Sequence, residues 1–353
     1  MSLSHPFLEV SAFVLRCCCR PRPGYSDSRI LVIRRNRLGD MICTLPFLHA
    51  LRSHFPQAHI AVACDTSGAP AARACNAVND VIVLKPGWNR LIPSLGDAIR
   101  LQGYDRVIAA KAGFDRRLAV LTRLSNGAMR IGFELQTDRA SAYYTHPVAP
   151  PKSPHYEHQI DTQLRLLAPL GIDPAPFASS LEMDLPPAAR EFAATILSRP
   201  PFIPQRRFML INISSTSPLK FGDDDFLALA GLVLKTTGLA VGFVAAPDDQ
   251  PKAREFAARL ASDRVIAIAT PGPLELAALL EHTVILLTPE GGAAHLAAAV
   301  GASALVLWFE GPFEKWHSRA KNHLFIRAAP QEKKIPRERV WQELQSCIIS
   351  AEN

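Results

Sequence analysis

A glycine turn late in the chain has the residue types of an anion-binding loop. Residues 288–301 lie between the apolar segments 284–287 and 304–309, and they include Gly291 and Gly292. Glycine lets backbone approach a ligand closely, and a helix start offers free N–H groups to phosphate. The pattern alone leaves two interpretations open, an anion or nucleotide site and an ordinary strand-to-helix turn.

Charged residues follow the first apolar segment, residues 30–33. The next loop contains Arg34, Arg35 and Arg37, and Asp40 follows at the start of a predicted helix. Arginine can bind phosphate or carboxylate with two parallel hydrogen bonds, and a carboxylate can act as a general base. Because Asp is also a common helix cap, both a cap and a base remain open for Asp40.

A polar loop follows the apolar segment 208–213. Its hydroxyl residues, Ser214, Ser215 and Thr216, precede Lys220. Hydroxyls and an ammonium suit a phosphate, although a polar loop with a solvated lysine is the alternative. The P-loop spacing and the Gly-x-Gly-x-x-Gly fingerprint are both absent, and so is the zincin spacing His-Glu-x-x-His. We therefore expect neither a metal nor a cofactor.

The composition limits the classes of protein to which the chain can belong. The 353 residues carry a net charge of +7, and 48% of them are hydrophobic, which is typical of a soluble two-domain protein. Positive charge favours anionic partners, but zinc-finger spacing and RNA-binding aromatic motifs are absent, so nucleic acid is not predicted. No apolar run reaches the roughly 20 residues that span a bilayer, and residues 7–19 lack a signal cleavage site.

The seven cysteines fall into two groups. Cys17, Cys18 and Cys19 are consecutive and lie among arginines, where either a membrane-surface anchor or a disordered tail would fit. The others lie in apolar-periodic segments and are predicted to be reduced core residues: Cys43, Cys64, Cys75 and Cys347.

Alternating strands and helices must position these loops. Strands are predicted at residues 30–33, 60–63, 81–84, 106–109, 130–133, 208–213, 240–245, 265–268, 284–287, 304–309 and 325–326. Helices are predicted at residues 41–54, 70–76, 92–102, 116–124, 157–170, 188–197, 224–237, 251–260, 274–281 and 337–349. This alternation predicts an α/β fold whose parallel sheets are covered on both faces.

Proline-rich stretches interrupt the alternation and suggest the domain boundaries. We predict a tail at residues 1–28, a first Rossmann-like domain at 29–172, an interdomain segment at 173–206, a second Rossmann-like domain at 207–335 and a C-terminal helix at 336–353.

Four segments also occur in a distinctive order. Residues 30–34 lead into Leu38-Gly39-Asp40 and a helix containing Thr44-Leu45-Pro46; residues 214–220, 274–280 and 290–299 follow. These segments resemble the heptosyltransferase family, glycosyltransferase family 9. The first resembles the family's opening strand and "LGD" turn, and residues 214–220 resemble its polar loop ending in lysine. Residues 274–280 resemble the helix that follows, and residues 290–299 resemble its DSGxxHLAAA signature. The resemblance spans about residues 29–330.

The resemblance implies a GT-B architecture, two Rossmann-like doubly wound domains facing a central cleft. It implies inverting, metal-independent transfer of a heptose from an ADP-heptose-like nucleotide sugar to the core of lipopolysaccharide, an anionic lipid-linked saccharide. Such an enzyme would be cytoplasmic and would act at the inner face of the inner membrane.

The resemblance also implies residue roles. Asp40 matches the family's general base, and Lys220 matches the lysine that stabilises the donor phosphates. The donor-side positions are Ser214, Ser215, Thr216, Glu290, Gly291, Gly292 and His295. From residue type, we assign acceptor-side anion contacts to Arg34, Arg35, Arg37 and Lys111.

The signature departs from the family pattern at three positions. Glu290 stands where Asp is usual, Pro289 where Asn is frequent, and Gly291 where a small hydroxyl residue is usual. These changes affect the identity of the sugar and of the nucleotide base more than they affect glycosyl transfer. Two alternatives stay open, a transferase for another surface-glycan sugar and a non-catalytic nucleotide-sugar binder.

Overall fold

Each half of the chain builds one parallel sheet. The computed structural model describes residues 28–84, 97, 100–134, 143–153, 156–203, 206–215, 217, 221–329 and 334–350. The chain divides into two compact units, residues 1–180 and residues 181–353. The division falls inside the predicted interdomain segment.

The first unit contains six strands with helices between them. The strands are β1 (Arg29–Arg34), β2 (His59–Cys64), β3 (Asp80–Val83), β4 (Arg106–Ala109), β5 (Met129–Phe133) and β6 (His146–Val148). The helices are α1 (Leu38–Ile42), α2 (Leu45–His54), α3 (Ala69–Arg73), α4 (Arg116–Leu124) and α5 (Gln159–Leu164), and 3-10 turns follow at Arg165–Leu170 and Ala175–Phe177.

The second unit repeats this plan. Its strands are β7 (Phe208–Asn212), β8 (Ala240–Val244), β9 (Val265–Ile268), β10 (Leu286–Pro289), β11 (Ala304–Trp308) and β12 (His323–Arg327). Its helices are α6 (Pro187–Leu197), α7 (Asp223–Thr236), α8 (Gln250–Leu260), α9 (Pro273–Leu280), α10 (Gly292–Ala299), α11 (Phe313–Trp316) and α12 (Arg337–Ser350), with a 3-10 turn at Pro247–Asp249.

Both sheets have the strand order of a doubly wound fold. The first runs β3-β2-β1-β4-β5-β6 and the second β12-β11-β10-β7-β8-β9, and all pairs are parallel. The order reverses between β1 and β4 in one sheet and between β10 and β7 in the other. Loops that leave neighbouring strands in opposite directions open a crevice at such a switch point, where α/β sheets bind ligands. The predicted α/β class with two Rossmann-like domains is confirmed.

Buried apolar strands hold each sheet. All but the first residue of β1 are buried, and β7 and β8 are buried throughout. Such runs fit strands covered on both faces by helices. In the second unit, Phe243 packs edge-to-face on Phe256 of α8, with ring centroids 5.6 Å apart.

The sequence predicted one helix over residues 41–54, but the structure has two. The chain breaks at Cys43 and Thr44, between α1 and α2. Pro46 explains the break, because it lacks the N–H that would bond to the carbonyl of Ile42, and proline is well tolerated at the second position of a new helix.

Other boundaries also differ from prediction. The predicted helix 157–170 ends at Gly171 as expected, but its second half is a 3-10 turn that contains Pro169. Strand β10 lies two residues later than predicted, because its pairing with β11 continues to Pro289 opposite Leu307. The short β6 and α11 were not predicted. The predicted helix 92–102 lies mostly outside the described residues, as do Cys17, Cys18 and Cys19.

The predicted interdomain segment contains α6, which packs on α9 of the second unit. Arg190 on α6 also lies 3.5 Å from a carboxylate oxygen of Glu281. Within the described ranges, no helix is both long and apolar enough to cross a membrane.

The second unit contains a buried histidine, His323, at the start of β12. Nε2 of His323 lies 3.1 Å from the carbonyl oxygen of Ala302, and Nδ1 lies 2.5 Å from Oγ of Ser318. Burial lowers the pKa of His323 to about 4, although the bond to Ala302 opposes the shift. In the unfolded chain the imidazole of His323 has its ordinary pKa near 6.5. Between that pH and about 4, the unfolded chain therefore binds a proton at His323 and the folded chain does not.

We predict that His323 contributes stability above pH 6.5 that is lost as the pH falls toward 4. At pH 5 the loss is about 2 kcal/mol. Thermal unfolding of His323→Gln should therefore depend less on pH between 7 and 5 than that of the wild type. The exposed His282→Gln is the matched control, and equal pH dependence in all three proteins would contradict the prediction.

Candidate functional site

The switch point of the first sheet lies beside the predicted base. The strand order places the ends of β1 and β4 next to each other, and the backbone N–H of Ala110 donates to the carbonyl of Ile33 at 3.0 Å. The loop after β1 leads to Asp40, and the residue after Ala110 is Lys111. Two predicted site residues therefore follow the two strands that flank the crevice.

Arg34 and Asp40 form an ion pair at this point. Nη2 of Arg34 lies 2.6 Å from Oδ1 of Asp40, and the two side chains are 1% and 15% exposed. Arg34 is the last residue of β1, so the sheet fixes its backbone, and Asp40 lies in the first turn of α1. The pair thus joins the strand to the helix across the loop between them.

The second oxygen of Asp40 caps the helix. The backbone N–H of Arg37 donates to Oδ2 at 3.2 Å, and Arg37 is in the extended conformation typical of an N-cap residue. The cap that the sequence suggested for Asp40 is therefore present. Its proposed role as a base stays a prediction, and the cap does not conflict with it, because each carboxylate oxygen has two lone pairs.

Thr44 completes the surroundings of Arg34. Nε of Arg34 lies 3.2 Å from Oγ1 of Thr44 and 3.3 Å from the carbonyl oxygen of Asp40, to which the Thr44 hydroxyl also donates at 2.8 Å. Nη1 is buried without a hydrogen-bond partner. Burial lowers the pKa of Arg34 from its ordinary value, and the charge of Asp40 counteracts that shift.

The other two arginines of the loop have different surroundings from Arg34. Arg35 donates from Nε and Nη2 to Oδ1 of Asp65, at 3.0 and 2.9 Å. The other oxygen of Asp65 accepts from the backbone N–H of Asn36, which has a left-handed φ of 108°. Arg37 is exposed. The three arginines that the sequence grouped together therefore have three different surroundings.

Lys111 forms an ion pair with Asp115. Asp115 is the N-cap of α4, and its carboxylate accepts from the backbone N–H groups of Arg117 and Leu118 at 2.9 and 3.1 Å. Burial raises the pKa of Asp115, but the bonds from Lys111 and the backbone outweigh it, so the pKa lies below its ordinary value. The acceptor contact assigned to Lys111 stays a prediction.

In the second unit, a side-chain bond joins the two strands at the switch point. Nδ2 of Asn212, the last residue of β7, donates to Oγ1 of Thr288 in β10 at 2.9 Å. Oδ1 of Asn212 accepts from the backbone N–H of Ser214 at 3.3 Å. The start of the polar loop is thus tied to the strand that leads into the glycine turn.

The hydroxyls of the polar loop bind neighbouring loops. Ser214 donates from Oγ to Asp249 at 2.7 Å and accepts from the backbone N–H of Ala246 at 2.8 Å. Oγ of Ser215 accepts from the backbone N–H of Ser217, whose own hydroxyl donates to Glu310 at 2.8 Å. Thr216 and Lys220 lie outside the described residues.

The glycine turn requires glycine at one position. Gly291 has φ of 148° and is the N-cap of α10, and Gly292 is the first helical residue. Residues with a side chain rarely adopt that φ, and there is open space around Gly291. The backbone conformation, not the space available, therefore requires glycine here. His295, on the same helix, is 9% exposed.

The Glu290 side chain binds the backbone of a neighbouring loop. Its carboxylate accepts from the backbone N–H groups of Phe309 and Glu310, at 3.2 and 3.4 Å. Burial raises its pKa, and these bonds only partly offset the rise. Glu290 therefore fastens the loop after β11 to the turn after β10, and donor contact through this side chain stays a prediction.

Sequence reasoning missed the carboxylates that organise these loops. Asp115 could have been found, because it precedes a predicted helix by one residue. No comparable signal marks the others, Asp65, Asp249 and Glu310, since their partners come from distant parts of the chain. Within the described part of the chain, no group of three or more His, Cys, Asp or Glu could hold a metal ion.

Comparison with known proteins gives a consistent family. The model of glycosyltransferase family 9 (heptosyltransferase) matches residues 92–345, a range that begins after the Asp40 loop. Lipopolysaccharide heptosyltransferase 3 of Escherichia coli is 22% identical over 279 residues, which cover 76% of this chain and 80% of that protein.

Solved structures agree in fold. A family 9 glycosyltransferase from Veillonella parvula is 18% identical with a TM-score of 0.78, covering 92% of this chain and 97% of that one. The E. coli heptosyltransferase WaaC with ADP-2-deoxy-2-fluoro heptose is 21% identical with a TM-score of 0.70, covering 90% and 99%. Since the family model matches well over half of the residues, the chain belongs to glycosyltransferase family 9, the heptosyltransferases, and is a glycosyltransferase.

Proposed function

We propose that the enzyme transfers a heptose from an ADP-heptose-like donor to an anionic, lipid-linked saccharide of the lipopolysaccharide-core type, with inversion and without a metal ion. The observation that carries the proposal is the position of Asp40. Its carboxylate is partly exposed and held by a buried arginine beside the switch point of the first sheet. A carboxylate in such a crevice is suited to accept a proton from a bound alcohol.

The donor is inferred from relatives and from the second sheet. One E. coli relative is an ADP-heptose lipopolysaccharide heptosyltransferase II, 17% identical, and WaaC is known with a fluorinated ADP-heptose. In this chain, the start of α10 and the loop after β7 flank the second switch point. Free N–H groups at a helix start and small hydroxyls are suited to a diphosphate.

The acceptor is inferred from the distribution of charge. Residues 1–180 contain 21 Lys and Arg against 13 Asp and Glu, a net charge of +8. Residues 181–353 contain 18 against 19, a net charge of −1. The entire excess of positive charge therefore lies in the unit that contains Asp40, where it would attract a phosphorylated saccharide or an anionic membrane surface. We accordingly place the enzyme in the cytoplasm, at the inner face of the inner membrane.

The proposed reaction is a single displacement. Asp40 takes the proton of the acceptor hydroxyl as its oxygen forms a bond to the anomeric carbon. The bond from that carbon to the diphosphate oxygen breaks on the opposite face, and ADP leaves with the electron pair. Lys220 and the N-terminus of α10 would stabilise the charge that develops on the leaving group, the task that a metal ion performs in other transferases.

The contacts of Glu290 favour a second candidate, transfer of a different surface-glycan sugar. Its carboxylate is engaged by backbone amides, so the sugar hydroxyls would be read by other groups. We predict that ADP-heptose raises the Tm more than UDP- or GDP-sugars do in a thermal-shift screen. A larger shift with another nucleotide sugar would replace heptose by that sugar and leave glycosyl transfer intact.

We predict that Asp40→Asn lowers kcat for heptose transfer about 100-fold or more, because it removes the base. The change also leaves Arg34 without its counter-charge, which costs about 3 kcal/mol or more of stability. Asp40→Glu keeps the charge but displaces the carboxylate, so it should fold better and still lose transfer.

The matched control is Asp65→Asn, a carboxylate bound by an arginine at the end of the next strand. Transfer by all variants is measured with ADP-heptose and a purified core acceptor, and folding by circular dichroism. If folded Asp40→Asn has the same kcat as the control, Asp40 is only a helix cap and not the base.

We predict that Lys220→Ala weakens ADP-heptose binding about 10-fold or more, since a charge-assisted hydrogen bond is worth about 1.5–3 kcal/mol. Isothermal titration calorimetry measures the effect directly, without acceptor. The control is Lys235→Ala, an exposed lysine in the last turn of α7. Equal affinities of the two variants would remove the phosphate role from Lys220.

A further inference from the structure

We propose that Arg34 is a positioning residue for Asp40 and does not contact the acceptor. It aims the carboxylate and leaves Oδ2 as the oxygen that receives the proton. The inference rests on the proposed function, because it assumes that Asp40 is the general base. It revises the acceptor contact that residue type alone suggested for Arg34.

Burial separates Arg34 from an acceptor. The side chain is 1% exposed, so solvent and an incoming saccharide cannot reach its guanidinium. Nη1 is buried with no hydrogen-bond partner, which leaves that donor unused. An arginine selected to bind an external anion would present its fork to the surface, whereas this one presents Nη2 to Asp40.

Two bonds fix the plane of the guanidinium. Nε lies 3.2 Å from the Thr44 hydroxyl, and that hydroxyl donates to the carbonyl oxygen of Asp40 at 2.8 Å. Arg34 thus binds Asp40 through the side-chain oxygen and, at 3.3 Å, through the carbonyl. A planar fork held at Nε can present Nη2 in only one direction, so the orientation of the carboxylate is set by the strand rather than by the short helix α1.

The two oxygens of Asp40 are therefore unequal. Oδ1 accepts a charge-assisted bond of 2.6 Å from Arg34, and Oδ2 accepts one backbone N–H at 3.2 Å. The longer, neutral bond withdraws less electron density, and a carboxylate oxygen has a second lone pair. Oδ2 is consequently the more basic oxygen, and the proton of the acceptor hydroxyl goes there.

Other titratable groups lie on the elements around the pair. Asp115 faces Arg34 from the N-terminus of α4 and pairs with Lys111. Cys43 is buried next to Arg34. Arg37, the N-cap of α1, and Arg73 of helix α3, which packs on α1, are exposed. The charged side chain that forms an ion pair with the Asp40 carboxylate is Arg34.

The test compares Arg34→Met and Arg34→Lys with the same two changes at Arg52, an arginine on α2 that binds the backbone carbonyls of Ala58 and Ala77. Each variant is assayed for kcat and for KM of ADP-heptose and of the acceptor. Folding is checked by circular dichroism.

We expect Arg34→Met to lower kcat of the folded enzyme about 100-fold, because the carboxylate is no longer aimed at the acceptor hydroxyl. Arg34→Lys keeps the charge but not the fork, so kcat should fall about 10-fold. Both values of KM should change less than about 3-fold, since neither substrate touches Arg34. The Arg52 variants should keep the wild-type kcat and both wild-type values of KM.

Two results would overturn the inference. A rise in acceptor KM with unchanged kcat would make Arg34 an acceptor contact. A loss of kcat that only follows the folded fraction would make it a structural residue. If Arg34→Met does not fold, Arg34→Lys and Thr44→Val carry the test. Both keep the two charges, but the first lacks the planar fork and the second lacks the hydroxyl that holds Nε. Wild-type kcat in both would then overturn the inference.

The parent proposal fails separately. If folded Asp40→Asn retains transfer, the base assignment is wrong and the role of Arg34 falls with it. If Asp40→Asn is inactive while the Arg34 variants behave like the Arg52 variants, only the positioning role is wrong.

Discussion

The ion pair between Arg34 and Asp40 organises the first unit's crevice. A buried guanidinium stays charged, so it needs a carboxylate close by, and that need fixes where α1 begins relative to β1. The pair forms at 2.6 Å across the three-residue loop 35–37, and Thr44 at the start of α2 joins it. Strand end, short helix and second helix are therefore held by one polar cluster beside the switch point.

Side-chain bonds between loops play the corresponding part in the second unit. Asn212 joins the ends of β7 and β10, Ser214 binds the loop after β8, and Glu290 binds the loop after β11. Each bond crosses from one strand end to its neighbour. The edge of the sheet that faces the proposed donor is thus cross-linked by polar side chains, although the strands themselves are apolar.

The sequence predicted the features that depend on local pattern. Apolar runs located eleven of the twelve strands, and the position of Asp40 near a helix start was correct. The break at Thr44 was not predicted because the apolar pattern continues through residues 41–54, although Pro46 leaves the carbonyl of Ile42 without a helical hydrogen bond. The pairing of Arg34 with Asp40, and of Arg35 with Asp65, was missed because residue spacing does not show which of several adjacent arginines turns inward.

The inward turn of Glu290 couples two loops that are far apart in sequence. Restoring the family's usual aspartate there would shorten the side chain by one methylene and draw it away from the amides of Phe309 and Glu310. Substitutions at 290 and at 309–310 should therefore be epistatic. A chimera that receives only the glycine turn of a relative would therefore lack the matching residues at 309–310. To exchange sugar preference between relatives, both segments must be transferred together.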